Sequence, residues 1–332
     1  MLKDRKRLWA LANSYRIYLI LIAVFAFLSL TAPRFMNAYN IGVILGNTML
    51  NGIVVIGFTI LLICGHLDLS TVSVINLSAN LAILIVQKTD SFALGILCAT
   101  LVGILVGYIN GLLVTKAHIN SFIETLGMST LIQGIVSFSN NAATRAVNNF
   151  AFTDLLDKKW IPLIPNRALI VFILVAVMYV FMSHTTIGKN FYLVGGNLES
   201  AWYAGLNTNR YVRAAFSMSG GFAALGGSIY ACYLAAAMSN IGDKGVSPLN
   251  TLIAAAVMGG ASLSGGRGNI LQSYIGVLTL IMLYNGMSCF KLGFEMQLCI
   301  NGIVLMLIIL TEAASVYRRE KYAGAKADLF LK

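Results

Sequence analysis

The sequence predicts an all-α polytopic membrane protein whose residues 1–332 form a single transmembrane domain. Apolar residues make up 58% of the chain, charged residues make up only 11%, and the mean hydropathy is +0.81. A soluble domain carries roughly 25% charged residues and needs them to cover its surface. The composition therefore excludes an ordinary soluble enzyme, and it equally excludes a disordered chain.

Ten apolar runs predict about ten transmembrane helices, because a helix crosses the bilayer in about 20 residues. The first run follows a basic segment that includes Lys3, Arg5 and Arg16, a pattern that fits a retained signal anchor. The third run is the most polar, because its first half contains Ser73, Asn76, Ser78 and Asn80. In chain order, the runs cover residues 17–32, 41–63, 70–87, 92–115, 119–139, 168–183, 211–237, 249–263, 270–288 and 294–314.

The basic residues predict that both termini lie in the cytoplasm. In that orientation, 15 of the 23 Lys and Arg residues fall on inner segments and the other eight on outer segments. This is the bias that the positive-inside rule describes. The net charge of +11 is thereby attributed to membrane orientation. No basic surface interleaved with aromatic residues points to nucleic acid.

Two long loops interrupt the predicted spans. Residues 140–167 would face outward and residues 184–210 inward, and loops of this size suggest docking surfaces for separate proteins on each side. Within the inner loop, Asn197 can cap a short helix, and Glu199 would lie in its first turn, where the helix dipole favours an acid. Ala201 favours helix and Gly205 provides a stop. From these residues alone, a docking helix and a simple connection are equally good interpretations.

Motifs for chemistry on this chain are missing. There is no GxxxxGK[ST] phosphate loop, no HExxH and no GxSxG nucleophile elbow, so we expect no enzyme activity and no nucleotide hydrolysis here. The five cysteines lack CxxC spacing and the three histidines are dispersed, so the sequence predicts no metal site.

Four ordered motifs resemble those of the ribose/xylose/arabinose-type permease subunits of ABC importers, and the similarity covers nearly the whole chain. Glu199, Ala201 and Gly205 match the E-A-A-x-x-x-G coupling loop of these permeases, with Ser200 in place of the first alanine. The other three motifs are GHLDLS at residues 65–70, SFIETLG at 121–127 and GGASLSGGRG at 259–268, and Asn285-Gly286 matches a further family position. The chain departs from the family where Thr71-Val72-Ser73 follows the DLS triplet, where His66 and Leu67 replace Gly and Ile, and where Ser121 replaces a proline.

The resemblance implies a transport subunit in a bacterial cytoplasmic (inner) membrane. A second permease, identical or different, would complete the pathway. A separate ABC ATPase with its own ATP and Mg²⁺ would dock on the inner loop through Asn197, Glu199, Ala201 and Gly205, and an extracytoplasmic solute-binding protein would deliver the solute. This chain would bind no cofactor. The solute would be a sugar or sugar-like molecule: a pentose, a hexose, a furanosyl signal or a nucleoside.

Polar residues within the spans are candidates for the translocation pathway or its gate. Asp68 is either a pathway contact or the N-cap of the third helix, and the capping interpretation is preferred. Glu124 either faces the pore or lies at the inner interface. Neutral amides suit a sugar, but they also join helices through hydrogen bonds. The candidates are Asp68, Ser70, Asn47, Glu124, Gln133, Asn285 and Gln297.

Two other functions remain open at this stage. An ion-coupled secondary transporter would use Asp68 or Glu124 as its proton or sodium site, and a membrane scaffold would recruit partners without transport. The coupling-loop pattern argues against the first of these and the polar residues within the spans against the second.

Overall fold

Helices make up nearly all of the regular structure of the chain. The computed structural model describes residues 15–141, 143–237 and 248–330. Its elements are α1 (Arg16–Thr31), α2 (Ala38–Asn47), α3 (Met49–Ile63), α4 (Thr71–Thr89), α5 (Phe92–Lys116), α6 (Ser121–Asn140), β1 (Arg145–Ala146), α7 (Ala151–Asp157), α8 (Asn166–His184), α9 (Thr186–Gly196), α10 (Leu198–Tyr203), α11 (Thr208–Leu234), β2 (Ala236–Ala237), α12 (Pro248–Met258), α13 (Ile270–Cys289) and α14 (Phe294–Phe330).

A helix lies at each of the ten predicted positions. Within the described residues, six helical segments are long and apolar enough to cross a membrane: 38–63, α4, α5, α8, α13 and 294–311. The helices α1 and α12 are apolar but shorter. The chain is therefore a polytopic helical membrane protein. The basic residues Lys3, Arg5 and Lys244, which entered the orientation count, lie outside the described residues.

The largest differences between the predicted spans and the observed helices are in the second, eighth and tenth spans. The second begins earlier and breaks at Thr48, whose hydroxyl donates to the Leu45 carbonyl oxygen at 2.7 Å. The eighth was predicted over 249–263 but ends at Met258, because Gly260 has a φ of +87° and turns the chain into a loop. The tenth continues beyond the predicted end at residue 314 to Phe330.

The helix α3 is the centre of the bundle. Every residue of α3 except Asn51 is buried, and this helix packs against α11, α13, α8 and α12. A helix that is apolar on all sides is typical of a position surrounded by other helices. In the helix α5, in contrast, only 22% of the most apolar stretch is buried, as expected of a helix with one face toward lipid.

Glycines allow α5 and α11 to pack backbone to backbone. A Cβ atom at Gly103 would lie 2.5 Å from the Gly220 carbonyl oxygen, and one at Gly107 would lie 2.2 Å from the Phe216 carbonyl oxygen. The small-x-x-x-small spacing of these glycines is typical of close helix contacts in membranes.

The two long loops lie at opposite ends of α4 and α11. The outer loop contains α7 and β1, and β1 pairs antiparallel with β2, directly after the C-terminus of α11. Its Ala146 carbonyl oxygen accepts a hydrogen bond from Gln87 Nε2 at 2.9 Å, near the C-terminus of α4. The inner loop contains α9 and α10 and leads directly into the N-terminus of α11.

Candidate functional site

The short helix α10 in the inner loop has the structure that its sequence predicts. Asn197 Oδ1 accepts a hydrogen bond from the Ser200 backbone N–H at 2.8 Å, and Glu199 lies in the first turn. Ala201 is buried, and Gly205 has a φ of +83°, a left-handed conformation that ends the helix cheaply only with glycine. The predicted cap, first-turn acid and stop are all confirmed as structural features.

The large side chains that α10 exposes are apolar or aromatic. Leu198 is 49% exposed, Trp202 is 63% exposed and Tyr203 is 80% exposed, and the Glu199 side chain is exposed beside them. Aromatic side chains on an exposed surface favour contact with another protein, because they bury a large area at low entropic cost. The surface of α10 is therefore a candidate docking surface for another protein.

Four glycines join the base of α10 to two other parts of the fold, and we call them the glycine junction: Gly65, Gly195, Gly265 and Gly266. The Gly266 N–H donates to the Ile63 carbonyl oxygen at 2.8 Å, and a Cβ atom at Gly265 would lie 2.5 Å from the Gly195 carbonyl oxygen. Such distances leave no room for a side chain. The last turn of α9, the end of α3 and the α12–α13 loop therefore touch through their backbones.

The junction also needs glycine for its conformation. The φ angles are +85° at Gly65, +82° at Gly265 and +71° at Gly266, in the region that other residues rarely adopt. A further bond ties α9 to the same loop, because the Tyr192 hydroxyl donates to the Gly268 carbonyl oxygen at 3.1 Å. The predicted family motifs at 65–70 and 259–268 thus meet directly behind the inner loop.

Asp68 lies three residues beyond Gly65 and is almost completely buried. Its Oδ1 accepts a hydrogen bond from the Ser70 backbone N–H at 2.8 Å and lies 2.5 Å from the Ser70 hydroxyl oxygen. Its Oδ2 accepts from the Ser219 hydroxyl of α11 at 3.4 Å. The preferred interpretation of Asp68 as a helix N-cap is wrong: the N-cap of α4 is Ser70, and Asp68 instead fixes the turn that precedes it.

Two more helices close over this turn. The Leu69 backbone N–H donates to the Thr125 hydroxyl of α6 at 3.1 Å. Asn110 of α5 places one end of its amide 3.0 Å from the Ser70 hydroxyl oxygen and the other end 3.2 Å from Glu124 Oε1. The structure therefore brings Asp68, Ser70 and Glu124 together in one buried polar cluster, in which Glu124 is 7% exposed.

The other predicted pathway residues lie elsewhere. Asn285 exchanges two hydrogen bonds with Asn40 of α2, at 2.8 and 2.9 Å, and so joins α13 to α2. Gln297 donates to the nearby Leu292 carbonyl oxygen at 3.0 Å. Asn47 at the end of α2 and Gln133 in α6 are exposed.

Three members of the buried cluster were not predicted from the sequence: Asn110, Thr125 and Ser219. Each is an ordinary polar residue in a helix, and its partner lies 40 or more residues away along the chain. One signal was present, since Asn110 directly precedes Gly111 in the glycine stripe of α5 and so lies close to the face that packs on α11.

Comparison with known proteins gives the family. The model for the family described as branched-chain amino acid transport system / permease component matches residues 40–309. The chain belongs to this family. It is 32% identical over 298 residues to the ribose import permease protein of Bacillus subtilis (strain 168), covering 89% of this chain and 91% of the relative.

Other relatives are also sugar permeases. The L-arabinose ABC transporter permease protein of Azospirillum brasilense is 32% identical, over 98% of this chain and 94% of that protein. The galactose/methyl galactoside import permease protein of Escherichia coli (strain K12) is 28% identical, over 92% and 95%. No solved structure matches the chain. The protein is thus a multi-pass membrane transport component of the ABC sugar permease type and not an enzyme.

Proposed function

We propose that the chain is the membrane-spanning subunit of an ATP-driven, binding-protein-dependent importer for a sugar or sugar-like solute. The observation that carries this is the exposed α10, which is fixed at its base by the glycine junction. A surface that docks an ATPase must be open to it and must also be tied firmly to the transmembrane helices. The helix α10 meets both conditions.

In this proposal, each residue of the coupling motif has a defined part. Asn197 and Gly205 set the start and end of α10, Ala201 anchors it in the bundle, and Glu199 presents its carboxylate to the ATPase. The ATPase supplies the ATP and Mg²⁺, and this chain binds neither. Movement of α10 then reaches α3 and the Asp68 turn through rigid backbone contacts, as in other transitions in which elements move as rigid bodies.

The proposed topology has about ten spans with both termini in the cytoplasm of a bacterium. The inner loop then faces the ATPase, and the outer loop over residues 140–167 faces a solute-binding protein. A second permease, identical or different, completes the pathway. Within that pathway, Asn47 and Gln133 are the best candidates for solute contact, because their amides are exposed and free to face a partner subunit.

A neutral sugar is the solute class that fits best. The relatives are named for ribose, L-arabinose, galactose and D-allose. Asn and Gln side chains offer both donors and acceptors to hydroxyl groups. Which sugar is carried depends on the binding protein as well as on this chain.

The decisive experiment is purification from native membranes with mass spectrometry of the co-purifying chains, followed by reconstitution in proteoliposomes. We expect an ABC ATPase to co-purify, and we expect uptake of one of these sugars to require ATP and a binding protein. If the chain purified alone and moved solute under a proton or sodium gradient without ATP, the importer proposal would be rejected. The ion-coupled alternative, for which the buried Asp68 and Glu124 would provide a site, would replace it.

A further inference from the structure

The orientation of the Asn110 amide follows from what its two ends face. One end lies 3.2 Å from the Val106 carbonyl oxygen and 3.2 Å from Glu124 Oε1. Both of these atoms are acceptors, so the NH₂ group must point to them and donate to both. The amide oxygen then faces the Ser70 hydroxyl oxygen at 3.0 Å, and the Ser70 hydroxyl must be the donor there.

This orientation decides where a proton lies in the cluster. A serine hydroxyl carries one proton, and Ser70 uses it on the Asn110 oxygen. The Ser70 oxygen nevertheless lies 2.5 Å from Asp68 Oδ1, within the range of O–H···O hydrogen bonds, so a proton must lie between these two oxygens. We propose that Asp68 is a protonated carboxylic acid that donates this hydrogen bond. The bonds then run in one direction, from Asp68 to Ser70, from Ser70 to Asn110 and from Asn110 to Glu124.

The surroundings of the pair favour only one negative charge. Glu124 Oε2 is buried and has no hydrogen-bond partner among the described residues, so a negative charge on Glu124 would itself be poorly compensated. No Lys, Arg or His in the described part of the chain forms an ion pair with Asp68 or Glu124. His66 packs its ring against α11, Lys116 at the end of α5 is exposed, and Arg213 bonds back onto its own helix. A second buried charge beside the first would be strongly unfavourable.

A neutral Asp68 has a positioning role. With Asp68 protonated, the turn after Gly65 accepts a hydrogen bond from α11 and donates toward α5 and α6, and the turn carries no net charge. The turn is continuous with the glycine junction, so the proton helps to hold the base of α10 against three helices. This inference rests on the hydrogen-bond geometry and does not depend on the proposed sugar importer.

Infrared spectroscopy of the full-length protein in detergent tests the assignment, because a protonated carboxyl has a carbonyl stretch well separated from that of a carboxylate. The wild-type protein at about pH 8, where an exposed aspartic acid is fully ionised, should show this band. The band should be lost in Asp68→Asn. It should remain in Glu124→Gln, since the glutamine oxygen can accept the same bond from Asn110.

The matched control is Glu295→Gln, which removes an exposed carboxyl in the first turn of α14 and should leave the band unchanged. Absence of the band in the wild-type protein would overturn the proposal. So would its persistence in Asp68→Asn, or its loss in Glu124→Gln, because either result assigns the proton elsewhere. The spectra of the wild-type protein and of Glu124→Gln test the proposal even if the Asp68 variant does not fold.

Discussion

Gly195 and Ile63 are in direct backbone contact: a Cβ atom added to Gly195 would lie 1.8 Å from the Ile63 carbonyl oxygen. The same oxygen accepts a hydrogen bond from the Gly266 N–H at 2.8 Å. One carbonyl group at the end of the central helix α3 therefore contacts both the helix that leads into α10 and the α12–α13 loop. Packing of this kind transmits displacement with little loss, because backbone atoms have no rotamers to absorb it.

We expect Gly195→Ala to lower the free energy of unfolding by at least about 1–3 kcal/mol, as overpacking of a close contact does, and to abolish ATP-driven uptake. The matched control is Gly196→Ala, since a Cβ atom there would meet nothing nearer than the Gly266 Cα at 4.0 Å. That variant should change stability by less than about 1 kcal/mol. Thermal unfolding in detergent and uptake into proteoliposomes measure the two effects. Equal behaviour of the two variants would contradict the role given to the junction.

Reversal of the charge at Glu199 should abolish transport without unfolding the protein. An arginine in the first turn of α10 costs about 0.3–1 kcal/mol through the helix dipole, which is too little to unfold the protein when the side chain is exposed. We expect Glu199→Arg to insert normally and to lose ATP-dependent uptake. Glu295→Arg makes the same reversal in the first turn of α14 and serves as the control. Normal uptake by Glu199→Arg would remove Glu199 from the coupling mechanism.

Asp68 should tolerate asparagine but not alanine. In Asp68→Asn, the amide oxygen can still accept from the Ser70 backbone N–H, and the NH₂ group can donate to the Ser219 hydroxyl, whereas alanine can pair with neither. We expect Asp68→Asn to lose less than about 1 kcal/mol of unfolding free energy and Asp68→Ala to lose about 1–3 kcal/mol for each buried partner left unpaired. Denaturation of both variants in the same detergent tests this. A loss as large for asparagine as for alanine would show that the charge itself is required.

The Asn40–Asn285 pair should behave as a link between helices. In a double-mutant cycle with Asn40→Ala and Asn285→Ala, we expect a coupling energy of about 0.6–2 kcal/mol, the range for interhelical hydrogen bonds in membranes. The measurement is the unfolding free energy of the two single variants and the double variant. Additive effects, together with a raised KM for sugar in Asn285→Ala alone, would instead support Asn285 as a pathway residue.

The positions of the helices could be predicted from the sequence because membrane insertion depends on short apolar runs. Each run of about 20 residues has its own transfer free energy, whatever the rest of the chain does. The ends of α10 were predictable for a similar reason, since the bond from the Ser200 N–H to Asn197 spans only three residues. The glycine spacing in α5 likewise indicated a close helix contact without naming the partner helix.

The partners of the polar residues were decided only by the tertiary structure. Asp68 binds Ser219, which is 151 residues away, and Asn285 binds Asn40, which is 245 residues away. The N-cap prediction failed by position: the N-cap of α4 is Ser70, and Asp68 accepts from the Ser70 N–H within the turn that precedes the helix. Only the packing of α11 adds the bond from Ser219. Local free energies fix where a membrane helix forms. Which buried polar groups meet depends on how all the helices pack together, because each group must find its hydrogen bonds where no water is available.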